Sequence, residues 1–186
     1  MPKHHPSRHR KKLLLALCLL SSSLLITSTL ADSVQEYNVK AAITLNFARF
    51  TEWPESALKK DSPKITLCVL GDNVVQQAFT EIDNKQVGNR TLTVSYLSRL
   101  RNLEECHMLY VSGLDKNKTI QLLTEINNQH ILSIGEQEYF VDYGGIINLA
   151  MINGKINIQI NIDAAKQAGL TISSRVLKLA TIVKPK

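Results

Sequence analysis

The sequence predicts an α/β domain: a mainly parallel sheet flanked by helices, with an antiparallel β-hairpin near the carboxyl end. Three observations predict it. Short apolar runs rich in β-branched residues alternate with segments of helical periodicity between residues 65 and 134, the order that builds parallel strands joined by helical crossovers. Two stretches of alternating polarity flank Asn153-Gly154, and that dipeptide supplies the positive φ angles of a two-residue type I′ turn. The chain beyond residue 31 has roughly 155 residues, enough for one domain with its own core.

The first segment reads as an export signal. Residues 1–12 carry five Lys or Arg and no acid, and an apolar run follows from Leu13 to Leu20, resuming at Leu24 to Ile26 before Thr29-Leu30-Ala31. A basic head, a short apolar middle and small residues at the end make a secretory signal peptide with cleavage after Ala31. The alternative is an uncleaved anchor, but the run is short and interrupted by serines. In either case residues 32–186 face out of the cytoplasm. No Arg-Arg pair marks a twin-arginine signal, and Leu17 before Cys18 is too large for lipoprotein cleavage.

This segment also settles the charge. The whole chain has 22 basic and 16 acidic residues, a net charge of +6. Lys3, Arg8, Arg10, Lys11 and Lys12 belong to the signal. The remainder, seventeen basic against sixteen acidic residues, is nearly neutral, so nucleic acid is not an expected partner. Only His107 and His130 lie beyond the signal.

The elements run in order along the chain. Ser33 and Glu36 form a capping box, starting a helix from about Val34 to Phe50. Tyr37, Ala41, Leu45 and Ala48 make one apolar stripe, and Val39, Ala42, Ile43, Phe47 and Phe50 widen it, so the helix is expected to be mostly buried. Gln35, Asn38, Lys40, Thr44, Asn46 and Arg49 read as interruptions of that surface. Pro54 bars any helical continuation beyond Phe50. Ile65–Leu70 reads as a buried strand ending in Gly71-Asp72, followed by a helix from about Asn73 to Ile82. Thr91–Leu97 and Cys106–Val111 are further strands. Asp115 caps a helix reaching about Asn128, and Ile131–Ile134 is a fourth strand. The hairpin pairs Ile146–Ile152 with Lys155–Ile162, setting Leu149 against Ile158, Met151 against Ile156 and Ile147 against Ile160. Asp163 is expected to cap a short helix ended by Gly169. Ser173 caps the last helix, with Val176, Leu177, Leu179 and Ala180 facing inward.

Chemistry is scarce. There is no G-x-G-x-x-G, Walker loop, G-x-S-x-G elbow or H-E-x-x-H. No cofactor is expected and the protein does not read as an enzyme. Gly71-Asp72 after a strand reads as a turn with a capping Asp before it reads as a ligand loop. Cys106-His107 with Cys68 and His130 does not match zinc spacings. Glu136, Glu138 and Asp142 cluster before Gly144-Gly145 and read as a solvated loop rather than an acid–base pair. Gly144-Gly145 serves close backbone approach or a positive φ. Cys68 and Cys106 are the two cysteines beyond the signal. In an oxidising compartment they suggest one disulfide, the alternative being two buried thiols. Trp53, the single tryptophan, either anchors an interface or closes the core.

The strings YNVKAAITLNFARFTEWP (Tyr37–Pro54), ITLCVLGDN (Ile65–Asn73), Glu105-Cys106-His107, Tyr143 to Ile147 and IQINIDAAKQAGLTISSRVLKLA (Ile158–Ala180) resemble the YfiR family in order and spacing across essentially the whole mature chain. The resemblance implies a periplasmic, non-enzymatic repressor that binds the periplasmic sensor part of an inner-membrane diguanylate cyclase and lowers cyclic-di-GMP. It implies a homodimer, and an OmpA-type outer-membrane lipoprotein that sequesters the repressor. By motif, Cys68 and Cys106 match a family disulfide. This sequence lacks a second cysteine pair found in the best-known member, and with it the second bridge of a two-bridge redox switch. The expected partner-binding residues are Phe47, Phe50, Trp53 and Arg175. The alternative function is a periplasmic small-ligand-binding module without a cyclase partner, its pocket near Gly71-Asp72 and Gly113.

Overall fold

The computed structural model describes residues 26–184, with side chains from residue 32 onward. The basic head and most of the apolar run of the expected signal lie outside the described residues. The chain divides into two compact units, residues 1–36 and Tyr37–Lys186. The described part of the first is helical.

Helix α1 spans Ile26–Phe50. It starts upstream of Ser33, which therefore sits inside the helix and does not cap it. Then come β1 (Thr51–Glu52), β2 (Lys64–Leu70), α2 (Asn73–Thr80), β3 (Gln86–Val87), β4 (Arg90–Leu97), a 3-10 turn (Leu103–Glu105) and β5 (Met108–Val111). The remainder is α3 (Lys116–Glu125), β6 (Leu132–Gly135), β7 (Ile147–Ile152), β8 (Lys155–Asn161), α4 (Ile162–Gln167), β9 (Thr171–Ile172), α5 (Ser174–Leu177) and β10 (Thr181–Val183).

Eight strands form one sheet in the order β10-β8-β7-β6-β5-β2-β4-β3. Five of its seven neighbouring pairs run parallel; β7–β8 and β3–β4 are antiparallel. The expected fold class is therefore the observed one. The central strands are buried on both faces, as parallel strands between helices must be. Period-two alternation sends Ile65, Leu67, Val69, Met108 and Tyr110 into the larger core, with Ala41, Phe47, Val75 and Phe79 of α1 and α2. Cys68, Leu109 and Val111 go to the opposite face, with Leu122 and Leu123 of α3. Burying such a side chain contributes roughly 1.5–3 kcal/mol before entropy is counted.

The hairpin has the expected register, with Leu149 opposite Ile158, Met151 opposite Ile156 and Ile147 opposite Ile160. Asn153 and Gly154 take φ of 50° and 72°. Gly144, at φ +95°, and Gly145 show why two glycines precede β7. A Cβ on Gly145 would collide with the ring of Phe140, and so would one on Gly135 at the end of β6. Phe140 is fully buried in the smaller core between these two glycine backbones.

Three further local expectations change, and one pairing was not expected. Cys106 precedes β5, because the 3-10 turn ends on it. Asn161, not Asp163, caps α4: its Oδ1 accepts from Ala164 N at 2.9 Å while its Nδ2 donates to the Val141 carbonyl at 3.0 Å. A residue that ends a strand on the buried side thus also starts the helix. Leu179 is 77% exposed, since α5 stops at Leu177 and the chain turns out into β10. The pairing of β1 with β9, Thr51 opposite Ile172, has no periodic signal in two-residue strands.

The Phe140 site yields a direct expectation. Gly145→Ala forces the ring or backbone aside and should lower unfolding free energy by about 1–3 kcal/mol in urea, whereas Gly154→Ala, with open space around its missing Cβ, should cost only its positive-φ strain.

Candidate functional site

The apolar reading of α1 misjudged two polar residues. Lys40 is 2% exposed and Thr44 is fully buried, while Val39 and Ala42 face out. Thr44 is satisfied locally, its hydroxyl donating to the Lys40 carbonyl at 2.8 Å. The ammonium of Lys40 reaches Glu136 Oε2 at 2.7 Å. Glu136, just past the end of β6, is not a solvated acid. Its side chain is 15% exposed and takes Tyr110 OH at 3.0 Å, Ser112 Oγ at 2.6 Å and Tyr37 OH at 3.2 Å as well. Glu138 and Asp142 are exposed, as a loop reading requires. Burial pushes the Tyr37 phenol above its ordinary pKa, with the Glu136 charge adding to it and Ser112 and Lys40 opposing. Tyr37 is therefore a neutral donor at physiological pH. All four donors point at one carboxylate, so the cluster is an ionic fastener between α1 and the carboxyl ends of β5 and β6.

Cys68 and Cys106 form a disulfide with Cα atoms 5.7 Å apart. It joins the middle of β2 to the turn before β5, inside the smaller core. Closing a loop of 38 residues stabilises the fold by about 4 kcal/mol in the chain-entropy account. Next to it, His107 is held on both sides. Its Nδ1 accepts from Thr66 N at 3.1 Å and its backbone N–H donates to the Thr66 carbonyl at 3.0 Å. Burial lowers its pKa; the carbonyl of Ala57 opposes this and the Arg90 charge adds to it. His130 places Nδ1 2.8 Å from the Ala168 carbonyl at the end of α4. Both histidines line an open groove of about 360 Å³ with Cys106 and Glu104. Among the described residues, no three His, Cys, Asp or Glu come close enough to hold a metal ion.

Gly71 and Asp72 have a structural role. Asp72 Oδ1 accepts from Val74 N and Val75 N at 3.0 Å to cap α2, and Val75 packs where a Cβ on Gly71 would be. Gly113 takes φ +75° in the turn after β5.

The four expected partner-binding residues separate into two sets. Phe47 is 1% exposed and belongs to the core. Phe50 and Trp53 are half-buried and packed on that core, and Arg175 is exposed. Trp53 donates from Nε1 to the His107 carbonyl at 3.1 Å. The β1–β9 ribbon draws Phe50–Trp53 and Ser173–Arg175 together: Ser173 N donates to the Phe50 carbonyl at 2.8 Å. Two sequence strings over a hundred residues apart are thus joined by backbone pairing, with Trp53 towards one end of the ribbon and Arg175 beyond the other.

A model of the YfiR/HmsC-like family matches residues 37–181. The chain belongs to this family. Its members are periplasmic regulators rather than catalysts. The match covers every strand of the sheet apart from the last two residues of β10. No curated protein matches the chain. Among the described residues of this YfiR/HmsC-like chain, no helix is long and apolar enough to cross a membrane.

The ionised groups give two expectations. Lys40→Met leaves the Glu136 carboxylate buried without its cation and should cost about 3–5 kcal/mol in denaturant unfolding; adding Glu136→Gln should recover much of that loss. For His107 the folded pKa lies below the ordinary 6.5, so the unfolded chain takes up the proton first. Its neutral form supports the fold fully above about pH 6.5, and that support is lost as pH falls from there through the lower folded value. In His107→Asn, whose Oδ1 can accept from Thr66 N in place of Nδ1, a pH series of thermal melts should lose this component.

Proposed function

We propose that the protein is a periplasmic repressor that holds the periplasmic sensor part of an inner-membrane diguanylate cyclase in its inactive state and so lowers cyclic-di-GMP. The observation that carries this reading is the family match, which spans residues 37–181. The signal peptide is removed after Ala31, and the mature domain acts by differential binding, favouring one state of the sensor over the other. The contact surface is the patch around Phe50, Trp53 and Arg175. Half-buried aromatic residues and an exposed arginine are residue types enriched among the anchors of protein interfaces. A homodimer presents this patch twice, and an OmpA-type outer-membrane lipoprotein competes for the repressor and releases the cyclase.

The test is intracellular cyclic-di-GMP in the native host. Deletion should raise it. An exported copy should restore the low level, and a copy lacking residues 1–31 should not. An exported Arg175→Glu copy should restore it poorly at equal protein abundance. Unchanged cyclic-di-GMP on deletion under several growth conditions would sink the repressor reading.

A further inference from the structure

We propose that the cleft between β1 and the β3–β4 turn is a binding site for a small organic monocarboxylate. Among the described residues, three buried side-chain polar atoms have no hydrogen-bond partner: Thr51 Oγ1, Arg90 Nε and Asn148 Oδ1. Buried polar atoms ordinarily find partners. Thr51 and Arg90 line the same cleft, of about 310 Å³. That volume sits at the lower end of the range for small-molecule sites. Thr51 itself is buried, at 7% exposure.

The chemistry of the two unpartnered atoms specifies the complement. Arg90 Nε–H can only donate, and the Thr51 hydroxyl donates readily, so the missing group is an acceptor. Arg90 is already positioned. Its Nη2 donates to the carbonyls of Lys59 at 3.0 Å and Lys60 at 3.3 Å, which fixes the guanidinium and leaves the Nε edge unused. Arg49 stands at the same cleft, exposed and restrained only by contacts of 3.3–3.4 Å to Asn46 and the Gln86 carbonyl. Among the described residues neither arginine forms an ion pair. Guanidinium edges match carboxylates in geometry and charge.

The rest of the cleft limits the ligand further. Glu52 lies on its rim, so two arginines and one acid leave a single formal positive charge, which suits a monoanion better than a polyanion. Ala48, Leu58, Ile65 and Val87 supply apolar lining, and Trp53 is held in place by its bond to the His107 carbonyl. The cleft therefore suits a compact carboxylate that can pack on the Trp53 side of a mixed polar and apolar lining.

Benzoate is the probe, titrated into the purified protein and followed by amide and indole NMR shifts. Saturable shifts are expected at Thr51, Arg90 and the Trp53 indole N–H. Benzamide, of the same shape without the charge, should bind on the order of tenfold more weakly, and acetate and inorganic phosphate should bind more weakly than benzoate. Arg49→Gln, at an exposed position, should weaken benzoate without disturbing the fold. Thr51→Val should weaken it while raising the melting temperature, because it deletes a buried hydroxyl that has no partner in the free protein. Equal binding of benzoate and benzamide, phosphate binding as tightly as benzoate, or benzoate affinity unchanged in both variants would each overturn the proposal.

Discussion

The Glu136 carboxylate is the constraint on which the arrangement of layers depends. Four donors converge on it: Lys40 and Tyr37 from α1, Tyr110 from β5, and Ser112 just beyond β5. An apolar helix face can slide on a sheet at modest cost, because hydrophobic contact has no direction. A buried ion pair cannot, because displacement by one residue strands both charges. The cluster therefore sets the register of α1 against the sheet, and the positions of Ala41, Leu45, Phe47 and Ala48 in the larger core depend on it.

Features that depend on neighbours in sequence were legible from the residues alone. The hairpin register came from Asn153-Gly154 and simple alternation. The caps at Asp72, Asp115 and Ser173 are local side chain–backbone bonds, and the parallel sheet came from strand and helix order. Features that depend on pairing across distance were hidden. Lys40 reads as a polar break in a helix because its partner lies 96 residues away. The available signal was weak: Lys40 and Thr44 lie four residues apart on one face of a helix that carries several other polar residues, and an acid follows a buried strand. The disulfide was legible only as one of two outcomes for a pair of cysteines. The β1–β9 ribbon was invisible because two-residue strands carry no period, and it is that ribbon which joins the Phe50–Trp53 and Thr171–Ser173 backbones.

The proposed contact surface and the proposed carboxylate cleft share Trp53. Trp53 is the common member, fixed to the same carbonyl whose residue, His107, is clasped to β2 beside the disulfide. Ordering in this corner thus rests on a covalent bond and a short chain of hydrogen bonds, where a loop would otherwise move freely.

The margins of the sheet carry a last consequence. On one side β3 is two residues long, and much of the rest of the β4 edge is occupied: the Asp83 carboxylate takes the Val94 N–H at 2.8 Å, and the backbones of Asn84 and Lys85 close on Leu92. On the other side β10 covers the end of β8 from Gln159 to Asn161, and Lys155 marks the uncovered start. Short margins, a carboxylate plugging one amide and a lysine on the open stretch deter the addition of a foreign strand. These margins disfavour continuing the sheet from one molecule into the next, which keeps an eight-stranded sheet from becoming a template for fibres.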